Sequence, residues 1–254
     1  MISHSVVAAY APREHTRARI RASLARVHRR GLVARTERDF ANAFRTQFVN
    51  TALVEITADD DGHGPAELAR EYPSVPFLAL TPFRPVDAPA IARCAELDFA
   101  DVLADGTDDG VLGHALLAHG FSMHFAAALD TPPEPLSLTS PLQRSAWRAI
   151  VIHAGQPVGS VEIANALGVT REHLSRSFAA GGGPSLKRVM DFVRLLAAGE
   201  LAKNPGYDLG AVARLTGFAS AAKLSAAVTR LVGARASALT ALRAADLLER
   251  FLRG

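Results

Sequence analysis

The sequence predicts an α/β domain followed by an all-helical domain, and three observations support this division. Short β-branched runs alternate with helical patterns only in the first half of the chain. The net charge also changes sign, because residues 1–130 carry 13 Arg, no Lys and 17 acidic residues, whereas residues 131–254 carry 15 basic and 8 acidic residues. The proline-rich stretch "DTPPEPLSLTS" lies at this change. We therefore expect a domain over 1–130, a linker over 131–140 and a second domain over 141–254.

The first domain is predicted to be a five-stranded, doubly wound parallel sheet. Its strand candidates are the apolar runs "HSVVAAY", "LVAR", "TALVEIT", "VPFLALT" and "FADVLA". Apolar residues at helical spacing lie between these runs, and strands separated by helices of this length form a parallel sheet covered on both faces. We expect the first helix to stop at Gly31, the second to carry Phe40, Phe44 and Phe48 on one face, and one long helix to span 108–129.

The second domain is predicted to contain a helix-turn-helix unit in "SVEIANALGVTREHLSRSF". A helix begins at Ser160, a turn follows at Gly168, and a second helix is capped by Thr170. Leu174 and Phe178 lie four residues apart and are expected to face inward. The residues left on the outside are Arg171, Glu172, Ser175 and Arg176, with His173 at the margin. This is the composition of a helix that lies in the major groove of DNA.

The helix-turn-helix pattern occurs a second time after a long helix in "PSLKRVMDFVRLLAAGELAKNPG". The later stretch "DLGAVARLTGFASAAKLSAAVTRLVG" predicts caps at Asp208 and Ser220 and a turn at Gly217. A connecting helix of about 18 residues is about 27 Å long. That length approaches the roughly 34 Å between successive major grooves on one face of DNA, so both units could reach the same duplex.

This order of elements, with "ALGVTREHLSRSF" and "ARLTGF", resembles the DNA-binding domain of AraC/XylS-type transcription regulators over residues 143–243. The resemblance implies that Glu172, Ser175 and Arg176 read bases, and that Thr170 and Arg171 lie near the DNA backbone.

The second unit departs from the family pattern at the positions where polar side chains usually read bases. These positions hold Ala221, Ala222 and Ala226. Alanine can touch a thymine methyl group but cannot discriminate bases by hydrogen bonding. We therefore expect Ser220 and Lys223, together with Arg230, to hold phosphates and the first unit to specify sequence. A purely structural role for the second unit is the alternative.

Residues 4–130 resemble the receiver domain of two-component response regulators in the order of their elements. In this alignment the acidic pair becomes Ala9 and Tyr10, the phosphorylated Asp becomes Thr57, and the usual Lys becomes Asp105, while Thr81 is retained. Phosphoryl transfer there needs carboxylates around Mg²⁺ and a cation for the phosphoryl oxygens. We therefore expect a degenerate receiver without a phosphoryl relay. A shifted alignment offers Glu55 or Asp59 as acceptor, but restores neither the acid pair nor the lysine.

These features together predict a bacterial, cytoplasmic, sequence-specific transcription regulator that binds double-stranded DNA without phosphorylation. The lone cysteine, Cys94, suits a reducing compartment, and no apolar run is long enough for a membrane span. No enzymatic activity, cofactor or metal is expected. The first domain would sense by dimerisation with a second copy, or through a regulatory protein or small ligand.

Two other interpretations of the sequence stay open. One is an enzyme or metal-binding protein that uses the acidic loop "ADDDGHG" at 58–64, although adjacent Asp and Gly residues more often form a turn. The other is an adaptor whose DNA-binding domain has become a protein-binding one.

Overall fold

A computed structural model describes residues 5–57, 63–154, 158–180 and 182–253. The chain divides into two compact units. The first comprises Met1–Met123 with Asn204–Gly206, and the second comprises His124–Lys203 with Tyr207–Gly254.

The first unit is built on a five-stranded parallel sheet of order β2-β1-β3-β4-β5. Its strands are β1 (Ser5–Tyr10), β2 (Gly31–Ala34), β3 (Phe48–Glu55), β4 (Phe77–Thr81) and β5 (Asp101–Ala104). The central strand β3 is buried along its whole length, as expected for a parallel sheet covered on both faces. The predicted fold class is confirmed for this unit.

Helices cover both faces of the sheet. They are α1 (Glu14–Arg26), α2 (Glu37–Thr46), α3 (His63–Glu71), α4 (Ala88–Glu96) and α5 (Asp109–Ala118), and α6 (Phe121–Ala128) follows. On one face, Leu24 of α1 and Leu112 of α5 share an apolar core with Ala9 of β1. Tyr10, the next strand residue, points to the other face, where its ring lies 6.2 Å from the ring of Phe40 in α2.

Aromatic rings fill the layer between α2, α3 and the sheet. The ring of Phe44 stacks on Phe77 of β4 at 5.7 Å and on Tyr72 at 4.5 Å, and meets Phe40 edge-on at 5.4 Å. Such pairs add to the free energy of area burial. The spacing of Phe40 and Phe44 therefore placed both correctly.

Two details predicted for the first helices are wrong. Phe48 does not continue the face of Phe40 and Phe44, because α2 ends at Thr46 and Gln47 turns to an extended conformation (φ −130°, ψ 157°) that begins β3. Gly31 does not stop α1, which ends at Arg26; it begins β2 instead. A Cβ at Gly31 would lie 2.2 Å from Cδ1 of Leu24, so any other residue there would require the Leu24 side chain to move.

The single long helix predicted over 108–129 is also wrong, because the chain breaks into α5 and α6 at Gly120. The cause lies 70 residues earlier, in Asn50 of β3. Its Oδ1 accepts a hydrogen bond from the Ser122 N–H at 2.9 Å, which caps the start of α6. A Cβ added to Gly120 would lie only 2.1 Å from Nδ2 of Asn50. Any other residue at position 120 would therefore displace the Asn50 side chain.

Over its described residues, the regular elements of the second unit are all helices. After the end of α6 come α7 (Pro141–Ile152), α8 (Ser160–Ala166), α9 (Arg171–Ala180), α10 (Leu186–Ala202), α11 (Leu209–Leu215), α12 (Ala221–Val232) and α13 (Ala244–Arg253). Trp147 of α7 is fully buried, and its Nε1 donates to the Leu129 carbonyl oxygen at 2.7 Å. The 17 residues of α10 make it about 25 Å long.

Both helix-turn-helix units have the predicted form. The helix pair α8 and α9 is joined through Gly168 (φ +67°), and the pair α11 and α12 through Gly217 (φ +75°). The two glycines occupy the left-handed region in which glycine carries no steric penalty. The all-helical second half of the predicted fold class is therefore confirmed.

Candidate nucleic-acid interface

Helix α9 is anchored by two side chains and capped by a third. The Thr170 Oγ1 accepts a hydrogen bond from the His173 N–H at 3.1 Å, which satisfies a free backbone donor in the first turn. Leu174 and Phe178 are completely buried. Because residues four apart share one face of a helix, burial of this pair turns the opposite face of α9 to solvent.

The exposed face of α9 carries every side chain predicted for it: Arg171, Glu172, His173, Ser175 and Arg176. Thr170 is exposed as well. Within the described part of the chain, Arg171, Glu172 and Arg176 form no ion pair. Their charged ends therefore stay available to a ligand without any internal contact being broken.

Helix α12 presents a different surface. The Ser220 Oγ accepts from the Lys223 N–H at 3.2 Å and so caps the helix, while Leu224 and Val228 are completely buried. Lys223 is exposed. Among the alanines, Ala222 and Ala226 are exposed and Ala221 is half-buried.

Arg230, in the last turn of α12, is held by a neighbouring helix. Its Nη2 donates to Oδ2 of Asp191 in α10 at 3.0 Å. The sequence grouped Arg230 with the phosphate-binding residues of the second unit, but the contact with Asp191 came from the tertiary structure.

The degenerate receiver positions lie at the carboxyl ends of the sheet strands. Ala9 and Tyr10 end β1, Thr81 ends β4, Asp105 follows β5, and Thr57 comes two residues after β3. All except Asp105 are buried. Thr57 was assigned the phosphoacceptor position, yet the last residue of β3 is Glu55, whose side chain is fully buried.

Arginines neutralise the two carboxylates at this edge. Arg13 forms an ion pair through Nε with Glu55, and its Nη2 lies 2.8 Å from Oδ2 of Asp105. Arg19 donates to the other Asp105 oxygen at 2.5 Å, and the Thr16 hydroxyl donates to Glu55 at 2.6 Å. Burial alone would lower the pKa of the Arg13 guanidinium, but its hydrogen bonds and charge interactions with both acids raise it overall.

Sequence reasoning missed most of this network. Glu55 emerged only from a shifted alignment, and no motif indicated Arg13, which lies 42 residues from Glu55 and 92 from Asp105. The single usable signal was the position of Arg13 directly after the first strand, at the edge where strand ends converge.

The acidic loop considered as a metal or catalytic site falls mostly outside the described residues, since Asp59, Asp60 and Asp61 belong to the segment 58–62. In the part of the chain that the structure describes, no three His, Cys, Asp or Glu side chains are grouped to hold a metal ion. Over the same residues, no helix has the length and apolar character required to cross a membrane.

Comparison with known families finds a match within the second unit. Residues 163–241 match the family model of a helix-turn-helix domain, of the AraC type. The matched segment contains α9, α10, α11 and α12. The predicted resemblance to AraC-type DNA-binding domains is thus confirmed for the carboxyl-terminal region. No curated protein sequence matches the chain.

Solved structures of similar layout include response regulators and an AraC-type activator. Full-length FixJ from B. japonicum has a TM-score of 0.38 at 12% identity, covering 90% of this chain and 98% of its own. RcsB from Salmonella enterica serovar Typhimurium, bound to promoter rprA, has a TM-score of 0.36 at 14% identity, covering 74% and 98%. The xylose-binding transcription activator XylR has a TM-score of 0.38 at 13% identity, covering 93% and 70%. At these scores and identities, none of the three informs on function.

Proposed function

We propose that this protein is a sequence-specific transcription regulator that reads duplex DNA mainly with α9 and works without phosphorylation. The observation that carries the proposal is the division of α9 into two faces. Leu174 and Phe178 hold the helix in the domain, while Arg171, Glu172 and Arg176 face solvent without an internal ion pair among the described residues. Charged side chains of this kind, on the second helix of a helix-turn-helix unit, contact base edges in the major groove.

Each exposed side chain of α9 has a role in this proposal. Arg176 pairs with the O6 and N7 of a guanine, Glu172 accepts from a cytosine amino group, and Ser175 bonds to either kind of edge. Thr170 and Arg171, at the start of the helix, contact backbone phosphates, which position the protein without selecting sequence. His173, in the same turn, borders this surface.

The second unit holds the duplex in place. Its exposed alanines offer only apolar contact to a thymine methyl group, whereas Ser220 and Lys223 bind phosphate. The result is an asymmetric operator, with a strong half-site under α9 and a loosely specified flank about one helical turn away.

Independence from phosphorylation rests on the network around Glu55. A phosphoryl group and Mg²⁺ would need open carboxylates at the strand ends. Here Glu55 and Asp105 already bind Arg13, Arg19 and Thr16, and Ala9 and Tyr10 provide no carboxylate. We expect the first unit to respond instead to a second copy, a regulatory protein or a small ligand, in a bacterial cytoplasm and without enzymatic activity.

Selection of bound duplexes from a random pool by the full-length protein tests the proposal. It should yield one well-defined half-site with a guanine essential to binding. Arg176→Ala should weaken the selected site by about 1–3 kcal/mol and relax preference at that guanine. Arg171→Ala, the matched control on the same helix, should weaken selected and random duplexes alike. Recovery of no common sequence would refute base reading, and binding that does not weaken with salt would favour the adaptor interpretation.

Treatment with acetyl phosphate and Mg²⁺ provides the test of phosphorylation independence. Affinity for the selected duplex should not change, and mass spectrometry should find no added phosphoryl group. A phosphoprotein whose DNA affinity differs from that of the untreated protein would refute this part of the proposal.

A further inference from the structure

Three cations surround one buried carboxylate on the connecting helix α10. The Asp191 side chain is only 10% exposed. Its Oδ2 accepts from Lys187 Nζ at 3.1 Å and from Arg230 Nη2 at 3.0 Å, while Nη1 of Arg194 lies 3.9 Å from its Oδ1. The cluster therefore joins the end of α12 to the first half of α10.

Arg194 belongs to the interior of this cluster. Its Nη2 donates to the Val158 carbonyl oxygen at 3.4 Å, and its guanidinium lies 5.7 Å from the ring centre of Phe218, in the turn of the second helix-turn-helix unit. Its side chain is 23% exposed. With these contacts, Arg194 connects the segment just before α8 to the turn of the second helix-turn-helix unit, so its guanidinium is already engaged within the domain.

Lys187 and Arg230 face outward instead. Their side chains are 83% and 59% exposed, although both touch Asp191. Arg171 and Ser175 of α9 line the same groove as Lys187 and Asp191. Exposed cations from α9, α10 and α12 thus lie around Asp191, with the carboxylate beneath them.

We propose that Arg171, Lys187 and Arg230 form a phosphodiester-binding strip that crosses α10 between the two DNA-contacting helices. The inference rests on the proposed function, because it assumes that α9 and α12 enter successive major grooves. The duplex between two such grooves presents its minor groove and the two phosphate backbones that border it. With Lys187 on the connecting helix and Arg171 and Arg230 on the two helices beside it, the strip is placed to meet those phosphates.

Asp191 does not prevent phosphate binding by these cations. An ammonium group has three N–H donors and a guanidinium has five, so Lys187 and Arg230 each keep donors free after bonding Asp191. The contact also restricts both side chains before DNA arrives, which reduces the conformational entropy lost on binding. Asp191 is therefore a positioning residue, and its charge opposes the phosphate that the strip attracts.

The test compares removal of a positive charge with removal of the negative charge of Asp191, since the two should change DNA affinity in opposite directions. Affinity of the full-length protein for the selected duplex and for random duplex is measured across a salt series. Lys187→Ala and Arg230→Ala should each reduce the slope of log K against log salt by about 0.9 and weaken both duplexes equally. Asp191→Asn should act in the opposite direction and raise affinity for random duplex at least about twofold, the effect of one unit charge about 8 Å from a phosphate at the dielectric constant of water.

Lys203→Ala is the matched control, because Lys203 lies at the far end of α10 and pairs with Glu200 at 2.7 Å. It removes one positive charge and should leave the slope unchanged. If the wild-type protein binds duplex with a salt-dependent affinity but Lys187→Ala and Arg230→Ala keep its slope, the strip is wrong and the proposed function stands. If Asp191→Asn only lowers the unfolding midpoint and leaves random-duplex affinity unchanged, the carboxylate is merely structural. If the wild-type protein does not bind duplex, the proposed function itself fails.

Discussion

Removal of the Arg13 side chain should destabilise the first unit strongly, because it leaves a buried carboxylate without its cation. Glu55 has no solvent-exposed side-chain surface, and Arg13 is its only cationic partner among the described residues. After Arg13→Ala, the Thr16 hydroxyl and the backbone N–H of residue 13 still donate to Glu55. Asp105 still binds Arg19 at 2.5 Å.

The loss of stability depends on whether Glu55 or Asp105 is left without a cation. Breaking a buried ion pair costs about 3–5 kcal/mol, and we expect about 3 kcal/mol because Arg13 itself is a third exposed. Arg19→Ala provides the comparison, since Asp105 retains Arg13 and the loss should be about 1 kcal/mol. The double variant Arg13→Ala/Glu55→Gln should recover much of the loss, because the buried charge is then absent.

Urea unfolding followed by circular dichroism measures these differences. A loss of 3 kcal/mol corresponds to a midpoint lower by about 2 M for a unit of this size. A urea midpoint for Arg13→Ala within about 0.5 M of the wild-type midpoint, which is about one quarter of the expected shift, would refute the role given to Arg13. That role is equally refuted if the Glu55→Gln change brings no recovery in the Arg13→Ala background.

Three further predictions concern packing, capping and thiol chemistry. Phe178→Ala should lower the free energy of unfolding of the second unit by about 3–5 kcal/mol, because Phe178 is completely buried. Arg176→Ala, at an exposed position on the same helix, should change it by less than about 0.5 kcal/mol. Equal changes of the melting temperature in the two variants would contradict the burial of this face of α9. Ser220→Ala should cost about 1 kcal/mol through loss of the cap on α12, and Ser220→Asn should restore it in the same assay. Burial raises the pKa of the Cys94 thiol to about 11, so a maleimide at pH 8 should label it only after unfolding. Because the folded state holds this proton more tightly, stability should fall as pH rises from about 9 to about 11, and a Cys94→Ala variant should lack that part of the decline.

Local patterns in the sequence determined the order of the elements and the faces of α9. Apolar residues four apart predict burial of Leu174 and Phe178 without knowledge of their partners, because helical geometry alone places them together. Thr170 and Ser220 were predicted as caps for a similar reason, since each bonds to a backbone N–H only three residues ahead.

Contacts distant in sequence decided what local patterns could not. The break at Gly120 depends on Asn50, which lies 72 residues from the Ser122 N–H that it caps. Arg13 reaches an acid 42 residues away, and Arg230 reaches Asp191 over 39 residues. Hydrogen bonds and ion pairs at such separations depend on how strands and helices pack, and no periodicity along the chain encodes them. The tertiary structure alone therefore determined which charges are neutralised internally and which cations stay exposed.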